Sequence, residues 1–513
     1  MALAAASIAF AANPPAALPA VPATVDSITA TEMRGHLEFL SSNELGGRYT
    51  LSPSFPIVAR YLASELEAYG FRGAAAQGSF LQKFEVVSTK TDPSRTSLHL
   101  SIGGKDEAAQ YGLDFFGSPQ SASGEVRGQL VFVGGGISSS SQKRDDYAGK
   151  QVKGKIVVVV AGVTRGVDFS KLGDNEHGVG AAEAHGAAGM LIIPPQRFLD
   201  RMRDRSVLER LSGRPTVQLA NDTDAKLPAL TLGPRLAEKV LAGFELKLSD
   251  AFEERAAAEN CVKCSAMFSV ALQQTRTTTQ NVAGILDGTD PQLKDEYVTF
   301  SAHYDHLKTG PHGEIYHGAD DDGSGTSAVL AIAKAMSLNR PKRSVLIIFH
   351  AGEELGLLGS EYNADYAPVV PLDKMVVDLN IDMIGRSKAP GDHDPADEHL
   401  TGPNTVYVVG SNRISKELDE ISTETNEQFQ KMNLDYYYND PANPERIYYR
   451  SDHWNYAKHG IPIIFYFTGT HVDYHRPTDT IDKINFSKMT EITRLIFETG
   501  WRIANLNHRL TRN

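Results

Sequence analysis

Cysteine is scarce in this sequence of 513 residues, which contains only Cys261 and Cys264. The two form a single Cys-x-x-Cys motif, and without a second pair they cannot supply the four thiolates of a structural zinc site. No strand–helix pattern of the thioredoxin kind surrounds them, so a redox role is not indicated. In an exported protein we expect the two thiols to oxidise to a local disulfide.

Long hydrophobic runs and an excess of positive charge are also missing. Beyond the N-terminus no run of about eighteen uncharged apolar residues occurs, so the sequence predicts no membrane span. The 63 Asp and Glu residues outnumber the 51 Lys and Arg residues, which gives a formal net charge of −12. Nucleic acids and anionic membranes require basic surfaces, so we expect neither as a partner.

The N-terminus resembles a secretory signal in its composition. Met1 to Ala12 is apolar with Ala-x-Ala-like spacings, and a Pro/Ala-rich spacer follows from Asn13 to Thr24. A basic n-region is absent, so a flexible tail is the alternative. We interpret residues 1–25 as a signal remnant and linker, and we expect a periplasmic or extracellular protein.

The rest of the chain is too long for one hydrophobic core and predicts two or three domains. Its second half alternates strand-like runs with helical patterns, which implies crossover connections between parallel strands. The predicted fold is α/β, with a mixed, largely parallel sheet flanked by helices. The strand-like runs lie near 296–302, 344–350, 374–380, 403–410 and 460–468, and the helical patterns near 324–338, 353–366, 413–430 and 487–506.

Five segments place acids or imidazoles directly after a strand-like run or in a glycine-rich turn. They are His303-Tyr304-Asp305, the turn Gly318 to Gly325 with its three aspartates, Glu353-Glu354, Asn380 to Met383, and Tyr474 to Thr480. Open α/β sheets carry their chemistry at the carboxyl ends of strands. Because residues i and i+2 of an extended chain share a face, Asp305 is placed to orient His303.

Two histidines and at least three carboxylates suit a pair of zinc ions, one aspartate bridging both at a separation of about 3.5–4 Å. Each segment alone also has a simpler interpretation. A Glu-Glu pair is often solvated, a His-x-Asp pair is often structural, and an Asp-rich turn suggests a calcium loop, although the EF-hand register fails here. The joint occurrence of five segments in order favours the metal site.

This order of motifs resembles the co-catalytic di-zinc aminopeptidase family, which includes aminopeptidase Y, bacterial leucyl aminopeptidases and glutamate carboxypeptidase II. The resemblance covers roughly residues 30–110 and 275–500. It implies that one zinc ion is bound by His303 and Asp382. The second zinc ion would be bound by Glu354 and His475, and Asp321 would bridge the two ions.

The resemblance also assigns Glu353 as general base and leaves Asp320 and Asp322 as solvated groups or neighbours of the ligands. Glu353 would take a proton from a water bridging the two zinc ions and return it to the leaving amine. The expected protein is a zinc-dependent exopeptidase with two zinc ions per chain, most simply an aminopeptidase acting on peptides. The sequence does not fix its oligomeric state.

Two alternatives remain open. A carboxypeptidase of the glutamate-releasing type would need arginines facing the substrate carboxylate, and Arg446, Arg450 and Arg476 are candidates. A non-catalytic binding module on a peptidase scaffold is the other. His453 is either a substrate contact or a buried structural residue, and His306 is expected to be structural or to support a ligand.

Between residues 112 and 268 the composition changes, and it predicts Gly-, Ser- and Val-rich strands around one helical segment, Gly178 to Ala188. This stretch contains no catalytic motif. This stretch resembles the protease-associated domain that is often inserted in this family. A β-rich α+β insert at 112–268 therefore divides the peptidase domain into 26–111 and 269–513. Its role would be to shape access to the active site, or it is a passive insertion.

Overall fold

The computed structural model describes residues 17–513 except 119, 164, 169–170, 214, 223–226, 255–260 and 442. The signal-like stretch 1–12 lies outside the described residues. Two compact units divide the chain, a first unit of residues up to Phe84 together with Thr279–Asn513, and an insert unit of Glu85–Thr278. Of the helices described, none combines the length and apolar character needed to cross a membrane.

The strands are numbered in chain order. They are β1 (Arg72–Gly73), β2 (Leu81–Thr91), β3 (Ser97–Ile102), β4 (Lys105–Ala109), β5 (Phe115–Gly117), β6 (Gly124–Phe132), β7 (Ser138–Ser139), β8 (Arg144–Asp145), β9 (Ile156–Val160), β10 (Gly189–Ile193), β11 (Thr216–Leu219), β12 (Ala229–Leu232), β13 (Ser265–Val270), β14 (Leu272–Leu286), β15 (Tyr297–His303), β16 (Ser344–His350), β17 (Met375–Ile381), β18 (Thr405–Val409), β19 (Asn433–Asp435) and β20 (Ile463–Phe467).

The α-helices follow the same numbering. They are α1 (Ala30–Leu40), α2 (Phe55–Ala68), α3 (Gly178–Ala184), α4 (Gln196–Arg201), α5 (Arg205–Gly213), α6 (Pro234–Gly243), α7 (Leu248–Phe252), α8 (Gly325–Leu338), α9 (Leu358–Glu361), α10 (Ser411–Ile414), α11 (Lys416–Gln428), α12 (His453–Ala457) and α13 (Phe486–Asn505).

The sheet of the first unit runs in the order β14-β16-β15-β17-β20-β18-β19. Its centre is parallel, since β15 pairs in parallel with both β16 and β17, and β17 with β20. Strands β14 and β18 pair antiparallel to their neighbours β16 and β20. The prediction of a mixed, largely parallel α/β sheet is therefore confirmed.

Burial explains why the central strands are so apolar. Every residue of β16, β17 and β20 is buried, as expected for parallel strands covered on both faces. Helices α8 and α13 pack against each other and against β15, while α12 packs on β17 and β20. Two helices differ from expectation. Helix α9 begins only at Leu358, because Gly352 and the turn after it separate the strand end from the helix. The pattern near 413–430 forms two helices, α10 and α11.

The insert unit has its own sheet, in the order β4-β3-β13-β6-β9-β10-β12-β5. The unit starts earlier and ends later than the 112–268 expected from composition. Strands β3 and β4 precede residue 112, yet β3 pairs with β13 and β4 pairs with β3. Hydrogen bonding between distant segments thus sets the boundaries, which fall inside the two long strands β2 and β14.

Candidate metal centre and cleft

Three parallel strands deliver the site residues to one edge of the sheet. His303 is the last residue of β15, Glu353 and Glu354 follow the end of β16, and Asp382 follows the end of β17. His475 lies in the loop after β20. Parallel neighbours end at the same edge, which brings residues far apart in sequence together.

The turn Ala319–Ser324 between β15 and α8 supplies Asp321, and its peptide bond to Asp322 is cis. Asp479 holds this turn, because its Oδ2 accepts hydrogen bonds from the backbone N–H groups of Asp320 (3.0 Å) and Asp321 (3.2 Å). Gly318 begins the turn with φ +56°, and a Cβ there would lie 2.3 Å from the carbonyl oxygen of Asp321. Only glycine fits such a left-handed, crowded position.

Asp321 turns one carboxylate oxygen toward each of two clusters. Its Oδ1 lies 3.3 Å from His303 Nε2, which is 3.6 Å from Asp382 Oδ1. Its Oδ2 lies 3.1 Å from His475 Nε2, which is 3.0 Å from Glu354 Oε2. Ligands of a tetrahedral zinc lie about 3.3–3.6 Å from one another when each is 2.0–2.2 Å from the ion. The five residues assigned as ligands by resemblance therefore have the spacing of two adjoining metal sites.

Two further side chains belong to these clusters. Two groups of three residues could each hold a metal ion, with one ligand atom from every residue. The first group is His303, Asp322 and Asp382, and the second is His306, Asp321 and Glu354. His306 Nδ1 lies 2.7 Å from Glu354 Oε1, so His306 supports that carboxylate or competes for the metal. In the sequence, the only feature that pointed to a role for His306 at this site was its position three residues after His303.

Of the two alternatives for Asp320 and Asp322, the structure favours neighbours of the ligands over solvated groups, because both side chains are fully buried. Asp320 Oδ1 accepts from the N–H of Gly385 at 2.6 Å. Asp322 Oδ1 accepts from the N–H groups of Gly325 (2.9 Å) and Met383 (3.1 Å). Both carboxylates thus tie the turn to the segment after β17.

Asp305 contacts His303, but through two different groups. His303 Nδ1 is 3.2 Å from the main-chain carbonyl of Asp305 and 3.7 Å from its Oδ1. The carboxylate is engaged elsewhere, since Oδ1 accepts from the N–H of Glu353 (3.2 Å) and Oδ2 from the Thr50 hydroxyl (2.6 Å). Asp305 therefore orients both His303 and Glu353.

Glu353 lies at the centre of the acidic cluster, with Oε2 3.9 Å from His303 Nε2 and its side chain 13% exposed. Burial raises the pKa of Glu353 well above its usual range, and neighbouring Glu354 and Asp382 add to this while His303 opposes it. A carboxyl that binds a proton readily suits a group that must take up and release one.

The cluster also fits a bound cation. Burial lowers the pKa of His475, but Asp321 and Glu354 outweigh it and raise that pKa to about 10. Among the described residues, Asp322 Oδ2 and His306 Nε2 are buried without a hydrogen-bond partner. Asp321 Oδ2 and Glu354 Oε1 have only the imidazole nitrogens of His475 and His306 beside them. Buried carboxylate oxygens require a counter-charge, and a nitrogen and oxygen donor set is the one zinc accepts.

A cleft opens beside the cluster and encloses about 360 Å³ including its mouth. Its walls combine the cluster acids with apolar, hydroxyl and basic side chains. They are Asp321, Glu353, Asp382, Met383, Ile447, Arg450, Phe465, Phe467, Thr470 and Tyr474.

His453 does not line this cleft. It is fully buried, its Nε2 lies 2.8 Å from the carbonyl oxygen of Tyr448, and its ring stacks on Phe465 with centroids 4.7 Å apart. The structure therefore favours the structural alternative, in which His453 supports the wall residue Phe465. Of the three candidate arginines, Arg450 lines the cleft, whereas Arg446 stacks on Tyr449 and Arg476 is exposed.

These observations define an α/β protein with two adjoining candidate metal sites at the carboxyl edge of its sheet. Residues 281–500 match the model of Peptidase family M28. The probable leucine aminopeptidase 2 of Aspergillus oryzae is 31% identical over 199 residues, which are 38% of this chain and 35% of that protein. Aminopeptidase YwaD of Bacillus subtilis is 37% identical over 114 residues, 22% and 23% of the two chains.

The chain spans less than half of the length of these relatives. The whole fold has a counterpart in the aminopeptidase from Aneurinibacillus sp. strain AM-1, with a TM-score of 0.56 and 17% identity. That alignment covers 96% of this chain and 97% of the other. At this identity the likeness establishes the fold alone.

Proposed function

We propose that this protein is a zinc-dependent aminopeptidase that binds two zinc ions per chain. The observation that carries the proposal is Asp321, whose two oxygens face two separate His/carboxylate clusters next to Glu353. In this proposal His303 and Asp382 complete one zinc site, and Glu354 and His475 complete the other. The M28 match of residues 281–500 supports the same activity.

The chain's own residues provide the acid–base chemistry. When bound, the zinc pair would act as a Lewis acid on the scissile carbonyl and lower the pKa of water. Glu353, exposed to the cleft, takes a proton from the attacking water and returns it to the leaving amine nitrogen. The Asp305 carboxylate accepts a hydrogen bond from the backbone N–H of Glu353. This contact holds Glu353 in place, so that the Glu353 carboxylate does not need to reorganise during the reaction.

Substrate orientation follows from charge. The acids Asp321, Glu353 and Asp382 line the cleft and attract the ammonium group of a peptide N-terminus. The apolar residues Met383, Ile447, Phe465 and Phe467 offer a surface for the first side chain. A peptide blocked at its N-terminus lacks the ammonium group and should be a poor substrate.

The test combines zinc content with hydrolysis of aminoacyl and N-blocked peptides. Wild type should bind about two zinc ions and release N-terminal residues, whereas Glu353→Gln should retain zinc and lose kcat by roughly 10²–10⁴-fold. Glu398→Gln, which changes an exposed glutamate, is the matched control and should behave as wild type. Cleavage of blocked peptides or release of C-terminal residues would instead establish a carboxypeptidase, and zinc binding without turnover a binding module.

We further propose that the protein is exported and that its insert is a protease-associated domain. Cys261 and Cys264 are disulfide-bonded, and such bonds persist in oxidising compartments. Thiol labelling of the protein in intact cells and in periplasmic and culture fractions tests the export. A chain found reduced in the cytoplasm would contradict it.

A further inference from the structure

Arg450 stands out among the residues of the cleft. Of the described side chains that line it, Arg450 alone is basic, and three of the others are carboxylates. The side chain is exposed, and within the described part of the chain its guanidinium forms no ion pair or hydrogen bond. A guanidinium offers five N–H donors in a planar fork that fits a carboxylate.

The side chains of Arg446, Arg413 and Arg386 are already occupied. Arg446 lies 4.7 Å from the centre of the Tyr449 ring, and Arg413 lies 3.8 Å from that of Tyr448. Arg386 pairs with Asp473 at 2.9 Å. These residues have structural partners, whereas Arg450 has donors available for a ligand.

The backbone of Arg450 is tied to the metal cluster. Its N–H donates to the carbonyl of Ile447 at 3.0 Å. The next residue, Ser451, is buried and accepts a hydrogen bond from Asn380 Nδ2 at 3.0 Å. Asn380 lies in β17, two residues before the ligand Asp382, so Arg450 has a defined position on the cleft wall although its head group is exposed.

We infer that Arg450 binds a carboxylate of the peptide substrate, which makes it a specificity-determining residue. The inference deepens the proposed aminopeptidase function and rests on it. A cleft lined by three carboxylates and one guanidinium matches a zwitterion, with the ammonium near Glu353 and the carboxylate on Arg450. Two sources supply that carboxylate, namely the free C-terminus of a short peptide or an acidic side chain on its first residue.

Two matched substrate pairs separate the sources. Leu-Leu against Leu-Leu-amide tests the C-terminal carboxylate, and Glu-Leu-amide against Gln-Leu-amide tests the side chain. Wild type should prefer the carboxylate member of one pair by roughly tenfold in kcat/KM, the range of a charged hydrogen bond that is partly exposed. Arg450→Met should abolish that preference by lowering kcat/KM for the carboxylate member toward that for the neutral member.

Further variants guard against indirect effects. Arg450→Lys keeps the charge without the fork and should retain part of the preference. Arg446→Met, which removes a similar side chain outside the cleft lining, should retain all of it. If neither pair is discriminated by wild type, or if Arg450→Met slows both members of a pair equally, Arg450 does not bind substrate carboxylate.

A binding measurement separates this inference from the proposed activity. The same ligand pairs are titrated by calorimetry into Glu353→Gln and into Glu353→Gln/Arg450→Met. A carboxylate preference that disappears in the double variant supports the role of Arg450 even if wild type hydrolyses none of the peptides. Equal dissociation constants for both members of each pair in Glu353→Gln would overturn it even if wild type is an aminopeptidase.

Discussion

Asp479 shows how one residue outside the ligand set can control the metal site. It is not one of the proposed metal ligands, but its carboxylate accepts hydrogen bonds from the backbone N–H groups of Asp320 and Asp321 and so holds the proposed bridging aspartate in place. We expect Asp479→Asn to weaken zinc binding by roughly 10–100-fold, as for other groups that orient metal ligands. Competition with a chromogenic chelator measures the affinity.

Asp482→Asn is the matched control, since Asp482 is exposed in the same loop, and its zinc affinity should equal that of wild type. If Asp479 were merely structural, Asp479→Asn would lower the stability of the zinc-free and zinc-loaded proteins equally and leave the zinc affinity unchanged.

Glu498 should make stability depend on pH. Burial in α13 raises the pKa of Glu498 to about 7 from 4.5, against the hydrogen bond from Gln430 and the charge of Arg502. The folded protein therefore holds this proton more tightly than the unfolded chain. Its stabilising contribution is present below pH 4.5 and is lost as the pH rises through 7.

Glu498→Gln removes this titration. Relative to wild type, its free energy of unfolding should rise by about 1–2 kcal/mol between pH 5 and pH 8. Urea unfolding at both pH values measures the change, with the exposed Glu67→Gln as control. A stability difference that does not vary with pH would contradict the prediction.

At the scale of elements, α13 approaches the sheet closely at a glycine. A Cβ on Gly500 would lie 2.3 Å from Phe300 Cζ in β15 and 3.1 Å from Leu379 Cδ1 in β17. Both partners belong to the buried core, so Gly500→Ala should lower the free energy of unfolding by about 1–3 kcal/mol despite its better helix propensity.

Gly35 in α1 provides the matched control. No atom lies within 4 Å of a Cβ built there, so Gly35→Ala should stabilise the protein by about 0.5–1 kcal/mol. Urea unfolding of the two variants should therefore show shifts of opposite sign. Shifts of the same sign would mean that helix propensity or packing alone dominates at both positions.

Most elements of the first unit could be predicted because their apolar runs are long and regular. The run near 344–350 is β16, and the pattern near 487–506 is α13. The helix predicted at 353–366 begins only at Leu358. The prediction included Glu353 and Glu354 because polar residues are also typical of a helix surface. Their burial at the strand end comes from contacts with distant segments, which local periodicity does not report.

At the scale of the whole molecule, the proposed zinc ions should act on one unit. Zinc would bind at the ends of β15, β16 and β17, so it should stabilise the first unit by about 2.7 kcal/mol per site at a hundredfold excess over the dissociation constant. Hydrogen exchange in these strands should slow on zinc addition, while exchange from β9 and β10 of the insert unit should not change.

The zinc effect should require the ligands. In His475→Ala, zinc should protect β16 less than in wild type, because the second cluster loses its imidazole. Equal protection of both units by zinc, or protection that persists fully in His475→Ala, would contradict the predicted location of the metal.

The resemblance to a known family supplied the roles proposed for Asp321 and Glu353. The sequence alone determined the α/β alternation and the order of the five acid and histidine segments. These follow from local patterns, because each segment carries its strand end or glycine turn with it. The tertiary structure decided that Asp320 and Asp322 are buried, that His306 contacts Glu354, that His453 supports Phe465, and where the insert begins. It also decided that Arg450 faces the cleft. The physical reason is that burial, strand pairing and charge neighbours depend on residues hundreds of positions apart, which only folding brings into contact.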